Sequence, residues 1–125
     1  MKIYLAGPMF QTGDDECKAW RDDAASRLAD HDIFNPMIRD YREGSDGHVE
    51  EIVEEDKADI DRCDLLLVNH TRPSVGTSME VLYAWERRKR IITVVHSDQV
   101  SPWLRYHSER IFTDLDTAIE FINSL

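Results

Sequence analysis

The sequence predicts one α/β domain, a five-stranded, doubly wound parallel sheet with helices on both faces. Short apolar segments alternate along the chain with segments of helical periodicity, and this strict alternation is typical of βαβ units. The central strand segments are continuously apolar, as strands are when helices cover both faces of a parallel sheet. At 125 residues, the chain has the length of a single domain, so we assign residues 1–125 to one domain.

The amino-terminal part alternates strand, helix and strand. Residues 2–6 form an apolar run that ends at a Gly-Pro pair, which is typical of a buried strand. Residues 14–30 place four apolar side chains on one helical face: Cys17, Trp20, Ala24 and Leu28. Residues 33–34 form a second short strand before an Asn-Pro pair. Residues 37–47 are rich in charge and turn formers, so a long loop is expected there.

The rest of the chain continues the alternation. The predicted elements are a helix at 48–62, a strand at 65–69, a helix at 76–88, a strand at 91–96, a short helix opening at Ser101-Pro102, a strand at 110–112 and a terminal helix within 113–125. The β-branched run at 91–95 is the clearest strand signal. The terminal helix is expected to turn five residues inward: Leu115, Ala118, Ile119, Ile122 and Leu125.

Charge and composition limit the classes of partner. A net charge of −10 argues against a nucleic-acid polymer or an anionic membrane surface, because either would be repelled. The two cysteines, Cys17 and Cys63, are far apart in sequence, and no histidines stand at metal-ligand spacing, so neither a disulfide framework nor a metal site is indicated. No segment has the length of a membrane span or a signal-peptide core. We therefore expect a cytoplasmic protein.

A binding site is expected at one edge of the sheet. Ligands of doubly wound sheets bind beyond the carboxyl ends of the strands, where the strand order reverses. The segments that follow the predicted strands are therefore the first to examine: residues 6–10, 35–41, 69–80 and 97–103.

Asp56 is the first candidate for chemistry. On the helix at 48–62, five apolar residues form one stripe, and Asp56 falls in its centre. The stripe consists of Val49, Ile52, Val53, Ile60 and Cys63. Asp56 is either a carboxylate that lines a pocket or an acid satisfied by a backbone amide or an arginine.

Glu80 is the second candidate. It lies near the start of the helix at 76–88, after Ser74, Gly76 and Ser78. Unpaired amides and hydroxyls at such a helix start suit a phosphate, a sugar hydroxyl or a carboxylate, and a glycine allows close approach. Acids are also common in first turns because they complement the helix dipole. Together, two acids at one edge suit glycosidic-bond chemistry, in which one carboxylate attacks an anomeric carbon and another handles the leaving group.

Several common catalytic motifs do not occur. The segment "GPMF" lacks the glycine pattern of a dinucleotide-binding loop, and no GxxxxGK[ST] is present. The segment "GTSME" has a serine but lacks the second glycine of a serine-hydrolase elbow. Rossmann cofactors, P-loop chemistry and serine hydrolysis are therefore disfavoured, and no cofactor is expected.

Five segments carry a family resemblance. In chain order they read "KIYLAGPMF", "NPM", "DIDRCDLLLVN", "PSVGTSMEVLYA" and "KRIITVV". Over nearly the whole chain this series resembles the nucleoside 2'-deoxyribosyltransferase family, and "SVGTSMEVLYA" is its most specific part. The resemblance implies a flavodoxin-like sheet, which agrees with the fold predicted from the residues.

The resemblance also implies roles for individual residues. Glu80 would be the nucleophile that attacks C1' of a deoxyribose and forms a covalent deoxyribosyl-enzyme, while Asp56 would assist the departing base. The reaction would transfer 2'-deoxyribose between nucleobases without metal or cofactor. The remaining implied contacts are with substrate: Gly7, Pro8, Met9 and Phe10 under the base, Ser74 and Gly76 at the 5' end of the sugar, and Asn35 and Ser78 nearby.

Ser74 departs from the best-known transferases, which carry an aspartate there. In having a serine at this position, the sequence resembles the related 2'-deoxynucleoside 5'-monophosphate N-hydrolases, in which a hydroxyl and helix-end amides hold a phosphate. Hydrolysis of a deoxynucleotide is therefore an alternative, and a nucleotide sensor without turnover is a third. The loop at 37–47 is a further candidate for reading the base through Arg39, Asp40 or Tyr41.

The resemblance implies an oligomer, at least a dimer, whose sites are completed by a neighbouring subunit. Ser101 is the nearest match to the residue that would be contributed. Trp85, Trp103 and Tyr106 would suit the contact between subunits, or would belong to the core.

Overall fold

A computed structural model describes residues 1–39 and 47–125 of the chain. The predicted roles of Asp40 and Tyr41 in reading a base, and most of the predicted loop at 37–47, lie outside these residues. The described start of that loop is a single 3-10 turn at Pro36–Ile38.

Five parallel strands form one sheet in the order β2-β1-β3-β4-β5. The strands are β1 at Lys2–Ala6, β2 at Asp32–Phe34, β3 at Leu65–His70, β4 at Arg90–Val95 and β5 at Arg110–Phe112. This is the flavodoxin-like order of a doubly wound sheet, and it reverses direction between β1 and β3. The predicted fold class is confirmed.

In the described parts of the chain, five α-helices connect or follow the strands. They are α1 at Asp14–Arg27, α2 at Val49–Arg62, α3 at Val75–Glu86, α4 at Pro102–His107 and α5 at Leu115–Asn123. Three of them begin with side-chain caps, in which Ser74, Ser101 and Asp114 accept a backbone N–H from the first turn. The predicted helix at 14–30 ends three residues early, since Leu28 leaves the helical conformation.

The helices cover both faces of the sheet and divide the core into two layers. Successive strand residues point to opposite faces. Leu5 and Leu67 therefore pack with α1 and α5, whereas Tyr4 and Leu66 pack with α2 and α3. All four of these strand side chains are fully buried, as expected of a parallel sheet covered on both sides.

Most of the predicted core is confirmed, with some corrections. The predicted inward residues of α1 and α5 are buried or pack on the core, except Leu125. The prediction that Leu125 points inward is wrong, because this residue follows the end of α5 and is 48% exposed. Assignment of Trp85, Trp103 and Tyr106 to the core is also wrong, because these side chains are 40%, 75% and 69% exposed.

Within residues 1–39 and 47–125, no helix is both long and apolar enough to cross a bilayer.

Candidate active site

A pocket of about 380 Å³ opens at the carboxyl ends of β1 and β3, between α2 and α3. This is the edge at which the strand order reverses, where doubly wound sheets bind ligands. Its walls are mostly apolar, with a few charged groups among them. The lining residues are Gly7, Met9, Phe10, Arg21, Pro36, Arg39, Ile52, Val53, Asp56, Lys57, Ile60, Ser74, Gly76, Thr77, Met79, Glu80 and Tyr83.

Glu80 reaches the pocket from the second turn of α3. The Tyr4 hydroxyl, from the middle of β1, donates a short hydrogen bond to Oε2 of Glu80. Tyr4 itself is fully buried in the core layer beneath α2 and α3. The carboxylate of Glu80 is therefore held by a tyrosine that cannot change rotamer without disturbing the core. Oε1, the other carboxylate oxygen of Glu80, takes no part in this bond.

The surroundings of Glu80 make its charge costly. Glu80 borders the pocket and is otherwise enclosed by protein atoms. Burial, and then the charge of Asp56, raise the pKa of Glu80 to about 8, against lowering by the hydrogen bond from Tyr4 and by the charge of Arg21. Burial, followed by the negative charge of Glu80, likewise raises the pKa of Tyr4 well above its ordinary value. Tyr4 therefore stays protonated and acts as a donor.

Asp56 faces the same pocket from α2. Its side chain is 27% exposed, and burial raises its pKa to about 6 despite the opposing charge and hydrogen bond of Arg39. Both explanations drawn from the sequence therefore hold in part. Asp56 lines a pocket, and an arginine is 3.4 Å from its Oδ1. Near neutral pH an acid of this kind exchanges a proton readily.

Arg39 binds three carboxylates along α2. Its guanidinium contacts Asp56, lies 2.5 Å from Glu55 through Nε, and makes a short ion pair with Asp59. Asp59 is buried and also accepts from Arg62 at 2.9 Å. Arg39 thus ties the segment after the 3-10 turn to α2 and brings positive charge to the pocket wall.

The loop between β1 and α1 forms the pocket floor. Arg21, a fully buried residue of α1, donates to the carbonyls of Leu5, Gly7 and Cys17 at 3.4, 2.9 and 3.0 Å. A Cβ on Gly7 would lie 2.9 Å from the Trp20 ring and 3.1 Å from the carbonyl of Asn69. Glycine is therefore required at position 7 by close packing on its inner side.

The start of α3 presents polar groups to the pocket. Ser74 caps the helix by accepting the N–H of Thr77 at 3.4 Å, and the Ser78 hydroxyl donates to the Ser74 carbonyl at 2.8 Å. A Cβ added to Gly76 would meet nothing within 4 Å. The buried Thr77 hydroxyl has no hydrogen-bond partner among residues 1–39 and 47–125. A buried hydroxyl in this state is a ready site for a ligand oxygen.

The pocket gathers seven of the eleven site residues predicted from the sequence: Glu80, Asp56, Gly7, Met9, Phe10, Ser74 and Gly76. Four others lie elsewhere. Pro8 is buried within the loop between β1 and α1, and Asn35 caps the 3-10 turn by accepting the N–H of Met37. Ser78 points back along α3, and Ser101 caps α4. The role of Ser101 in a neighbouring subunit remains a prediction.

Several residues at the site were not among those predicted from the sequence. The sequence pattern predicts Tyr4 to be a core residue, and its ring is indeed buried in the core. Nothing in that pattern indicates that its hydroxyl reaches the site. Arg21 falls beside Trp20 on the inner side of α1, and a charged residue there was the available signal. Lys57 and Tyr83 also line the pocket, from α2 and α3.

The described residues contain no group of three or more His, Cys, Asp or Glu placed to hold a metal ion.

Comparisons with known proteins give the family and the fold. A sequence profile described as nucleoside 2-deoxyribosyltransferase matches residues 3–116. No curated protein sequence matches the chain. Among solved structures, the 2-deoxyribosyltransferase of Bacillus psychrosaccharolyticus is similar with a TM-score of 0.75 and 20% identity, over 95% of this chain and 90% of that one.

Two further structures share the fold. The CMP N-glycosidase BcmB of Clostridium botulinum has a TM-score of 0.67 and 16% identity, over 98% of this chain and 99% of that one. A conserved protein of Enterococcus faecalis V583 has a TM-score of 0.72 and 16% identity, over 98% of this chain and 97% of that one. Since the family profile spans most of its length, from residue 3 to residue 116, the chain belongs to the nucleoside 2-deoxyribosyltransferase family.

Proposed function

We propose that this protein transfers 2'-deoxyribose between nucleobases through a covalent deoxyribosyl intermediate on Glu80. Family membership supports an enzyme that transfers or cleaves a glycosyl group. The observation that carries the finer proposal is that Glu80 and Asp56 face one pocket from different helices, with Tyr4 hydrogen-bonded to Glu80.

The first half of the reaction breaks the bond between C1' and the base. The ionised carboxylate of Glu80 attacks C1' and forms an ester, while the electron pair of the C1'–N bond leaves with the base. Asp56, with a pKa of about 6, donates a proton to the departing base or to a polar group on it. Tyr4 holds Oε2 of Glu80, which leaves Oε1 for attack.

The second half reverses these steps with a new acceptor. A nitrogen of the incoming base attacks C1', the ester bond breaks, and its electron pair returns to Glu80 as a carboxylate. Asp56 then takes the proton that the incoming base loses. Two displacements at C1' leave its configuration unchanged. The apolar wall that includes Phe10, Ile52 and Met79 suits the flat face of a base and limits access of water.

The experiment is an exchange assay followed by chromatography. A deoxynucleoside and a second free base are incubated with the protein and with Glu80→Gln. We expect exchanged nucleoside to form faster than free deoxyribose, and we expect Glu80→Gln to abolish the exchange. Glu86→Gln, an exposed glutamate on the same helix, serves as the matched control. Turnover that survives in Glu80→Gln would remove Glu80 as the nucleophile.

Hydrolysis of a 2'-deoxynucleoside 5'-monophosphate is a second candidate. The observation that favours it is the buried hydroxyl of Thr77, which has no hydrogen-bond partner among the described residues. It lies in the helix start that Ser74 caps and that is open at Gly76. Hydroxyls and helix-start amides suit a phosphate oxygen. An aspartate at position 74 would repel that phosphate.

Ser74 variants separate the two candidates. Under the hydrolysis proposal, the monophosphate is consumed, the free base changes nothing, and Ser74→Asp abolishes consumption while Ser74→Ala only weakens it. Under the transfer proposal, the unphosphorylated deoxynucleoside is the better donor and exchange needs the free base. A protein that binds nucleotide tightly, cleaves nothing and binds equally well as Glu80→Gln would instead be a sensor.

We also propose that the working unit is at least a homodimer. Trp85, Trp103 and Tyr106 form one exposed aromatic cluster on α3 and α4, in which the Trp85 and Tyr106 ring centroids are 5.5 Å apart. Along α3, Leu82 is 41% exposed and lies between Trp85 and Met79 in sequence, and Met79 is 67% exposed and lines the pocket. Apolar surface of this kind that continues to a binding site suits a contact with a second copy.

A further inference from the structure

Arg21 is a charged side chain that the proposed chemistry leaves without a role. It is fully buried, and it lies on α1, the helix on the opposite side of the sheet from α2 and α3. A buried arginine is costly unless its charge and its donors are satisfied. Its donors reach the carbonyls of Leu5, Gly7 and Cys17. These bonds fix the guanidinium at the end of β1, on the pocket floor.

The side chain reaches the pocket because of its neighbours. Gly7 lacks the Cβ that would stand 3.4 Å from Nη2 of Arg21, and the Trp20 ring stacks on the guanidinium with 4.6 Å between Cζ and the ring centroid. Arg21 is thereby held as a fixed positive charge on the α1 side of β1. On the opposite face of the same strand, Tyr4 binds Glu80.

We infer that Arg21 is a positioning residue for the Glu80 nucleophile. The positive charge of Arg21 favours the carboxylate form of Glu80 over its carboxylic acid and over its ester. The inference rests on the proposed function for its catalytic consequence. It assigns to α1 a part in the reaction through charge, while the hydrogen bonds of Arg21 shape the loop.

The charges around Glu80 support this assignment. From β1, Tyr4 donates a hydrogen bond; from α2, Asp56 adds a negative charge; and from α1, Arg21 adds a positive one. Arg39 and Lys57 also line the pocket, but Arg39 is paired with three carboxylates of α2. The guanidinium of Arg21 is instead bound to backbone carbonyls at the end of β1, the strand whose Tyr4 binds Glu80, and its charge lowers the pKa of Glu80. Arg21 therefore opposes the effect of burial and of Asp56.

The consequence for the reaction is twofold. Glu80 must be ionised to attack C1', so loss of the positive charge reduces the active fraction near neutral pH. In the second half, the ester bond breaks and its electron pair returns to Glu80, so the same charge assists departure of Glu80 from C1'. Without Arg21, the deoxyribosyl ester should accumulate relative to the wild-type protein.

The test compares Arg21→Lys, which keeps the charge, with Arg21→Gln, which keeps a hydrogen-bonding amide only. We expect the acidic limb of the kcat/KM profile to move up by about one pH unit in Arg21→Gln, the low end of what a nearby opposite charge produces. In Arg21→Lys it should stay close to the wild type. Equal losses of kcat in both variants, with an unmoved limb, would reduce Arg21 to a structural role.

A second measurement needs no turnover and no Arg21 variant. In the wild-type protein, the Nε–H resonance of Arg21 should titrate with the carboxylate of Glu80, and Glu80→Gln should remove that titration. An Arg21 resonance that does not respond to Glu80 overturns the inference. Because this readout is independent of catalysis, failure of the proposed transfer reaction leaves it unaffected, and the two failures are distinguishable.

Discussion

Tyr4 belongs both to the hydrophobic core and to the pocket. Its ring is fully buried among strand and helix residues, and its hydroxyl reaches Glu80. A nucleophile held in this way is preorganised, because any displacement of the tyrosine would open a void in the core. Burial of the carboxylate and the nearby charge of Asp56 raise the pKa of Glu80, and the hydrogen bond from Tyr4 opposes that rise.

Tyr4→Phe tests the hydrogen bond without changing the core. Phenylalanine fills the same space, so the fold should be retained, but the bond that lowers the pKa of Glu80 is lost. A hydrogen bond to a charged group is worth about 1.5–3 kcal/mol, so we expect kcat/KM at neutral pH to fall roughly 10- to 100-fold. Tyr106→Phe, which removes an exposed hydroxyl, is the control. Unchanged kinetics in Tyr4→Phe would contradict the role.

Glu80 also makes stability depend on pH. Its folded-state pKa of about 8 exceeds the ordinary value of 4.5, so its contribution to stability is complete below pH 4.5 and is lost as pH rises through 8. We expect Glu80→Gln to be more stable than the wild type by about 2–4 kcal/mol at pH 8 and nearly equal at pH 4. Denaturant unfolding at both values measures this, and Glu86→Gln should behave as the wild type.

Asp56 is predicted to act through its proton. Asp56→Asn keeps the size of the side chain but cannot donate or accept the proton, so activity should fall about 10²- to 10⁴-fold, the usual contribution of a general acid–base group. Exchange rates with a deoxynucleoside measure the loss. Glu54→Gln, an exposed acid on the same helix, is the matched control, and near-native turnover in Asp56→Asn would remove that residue from the mechanism.

At the scale of the element, α2 explains what the sequence could and could not predict. Its apolar stripe is real, but Ile60 is buried whereas Val53 is 43% exposed and lines the pocket. A core-facing stripe and a pocket wall have the same periodicity, so the pattern locates the face without identifying what covers it. Asp56 in the stripe was the residue that distinguished the two.

The strands and helices were predictable because their signals are local. Periodicity, caps and glycine-proline pairs placed all five strands within about one residue of their ends. The contact between Tyr4 and Glu80 joins residues 76 positions apart, and no local pattern encodes such a pair. The contacts of Arg21 with the carbonyls of Leu5 and Gly7 were hidden for the same reason, since they join residues 16 and 14 positions apart.

The β1–α1 loop provides a prediction at this scale. In Gly7→Ala the added Cβ would meet Trp20 at 2.9 Å and the Asn69 carbonyl at 3.1 Å, so we expect a loss of about 1–3 kcal/mol in unfolding free energy. Gly76→Ala meets nothing within 4 Å and should leave stability almost unchanged. Equal stability of the two variants would show that the loop relaxes freely.

At the scale of the whole molecule, the aromatic cluster on α3 and α4 is predicted to join two copies. Trp103→Ser combined with Tyr106→Ser removes much of its apolar surface without touching the core, since both side chains are mostly exposed. We expect sedimentation to show a shift towards the monomer, and activity to fall with it. Ile38→Ser, at an exposed apolar residue outside the cluster, is the control. A wild-type protein that is monomeric at high concentration would contradict the proposal.

The pocket draws its floor and its walls from different parts of the molecule. Tyr4 and Arg21 are fully buried, whereas Phe10, Val53 and Met79 are at least 43% exposed and contribute little to either core layer. Mutations in the walls should therefore be nearly neutral for folding while they reshape the space around a base. Such a division lets substrate range diverge rapidly among descendants of one protein, and it makes the wall positions the natural choice for a randomised library.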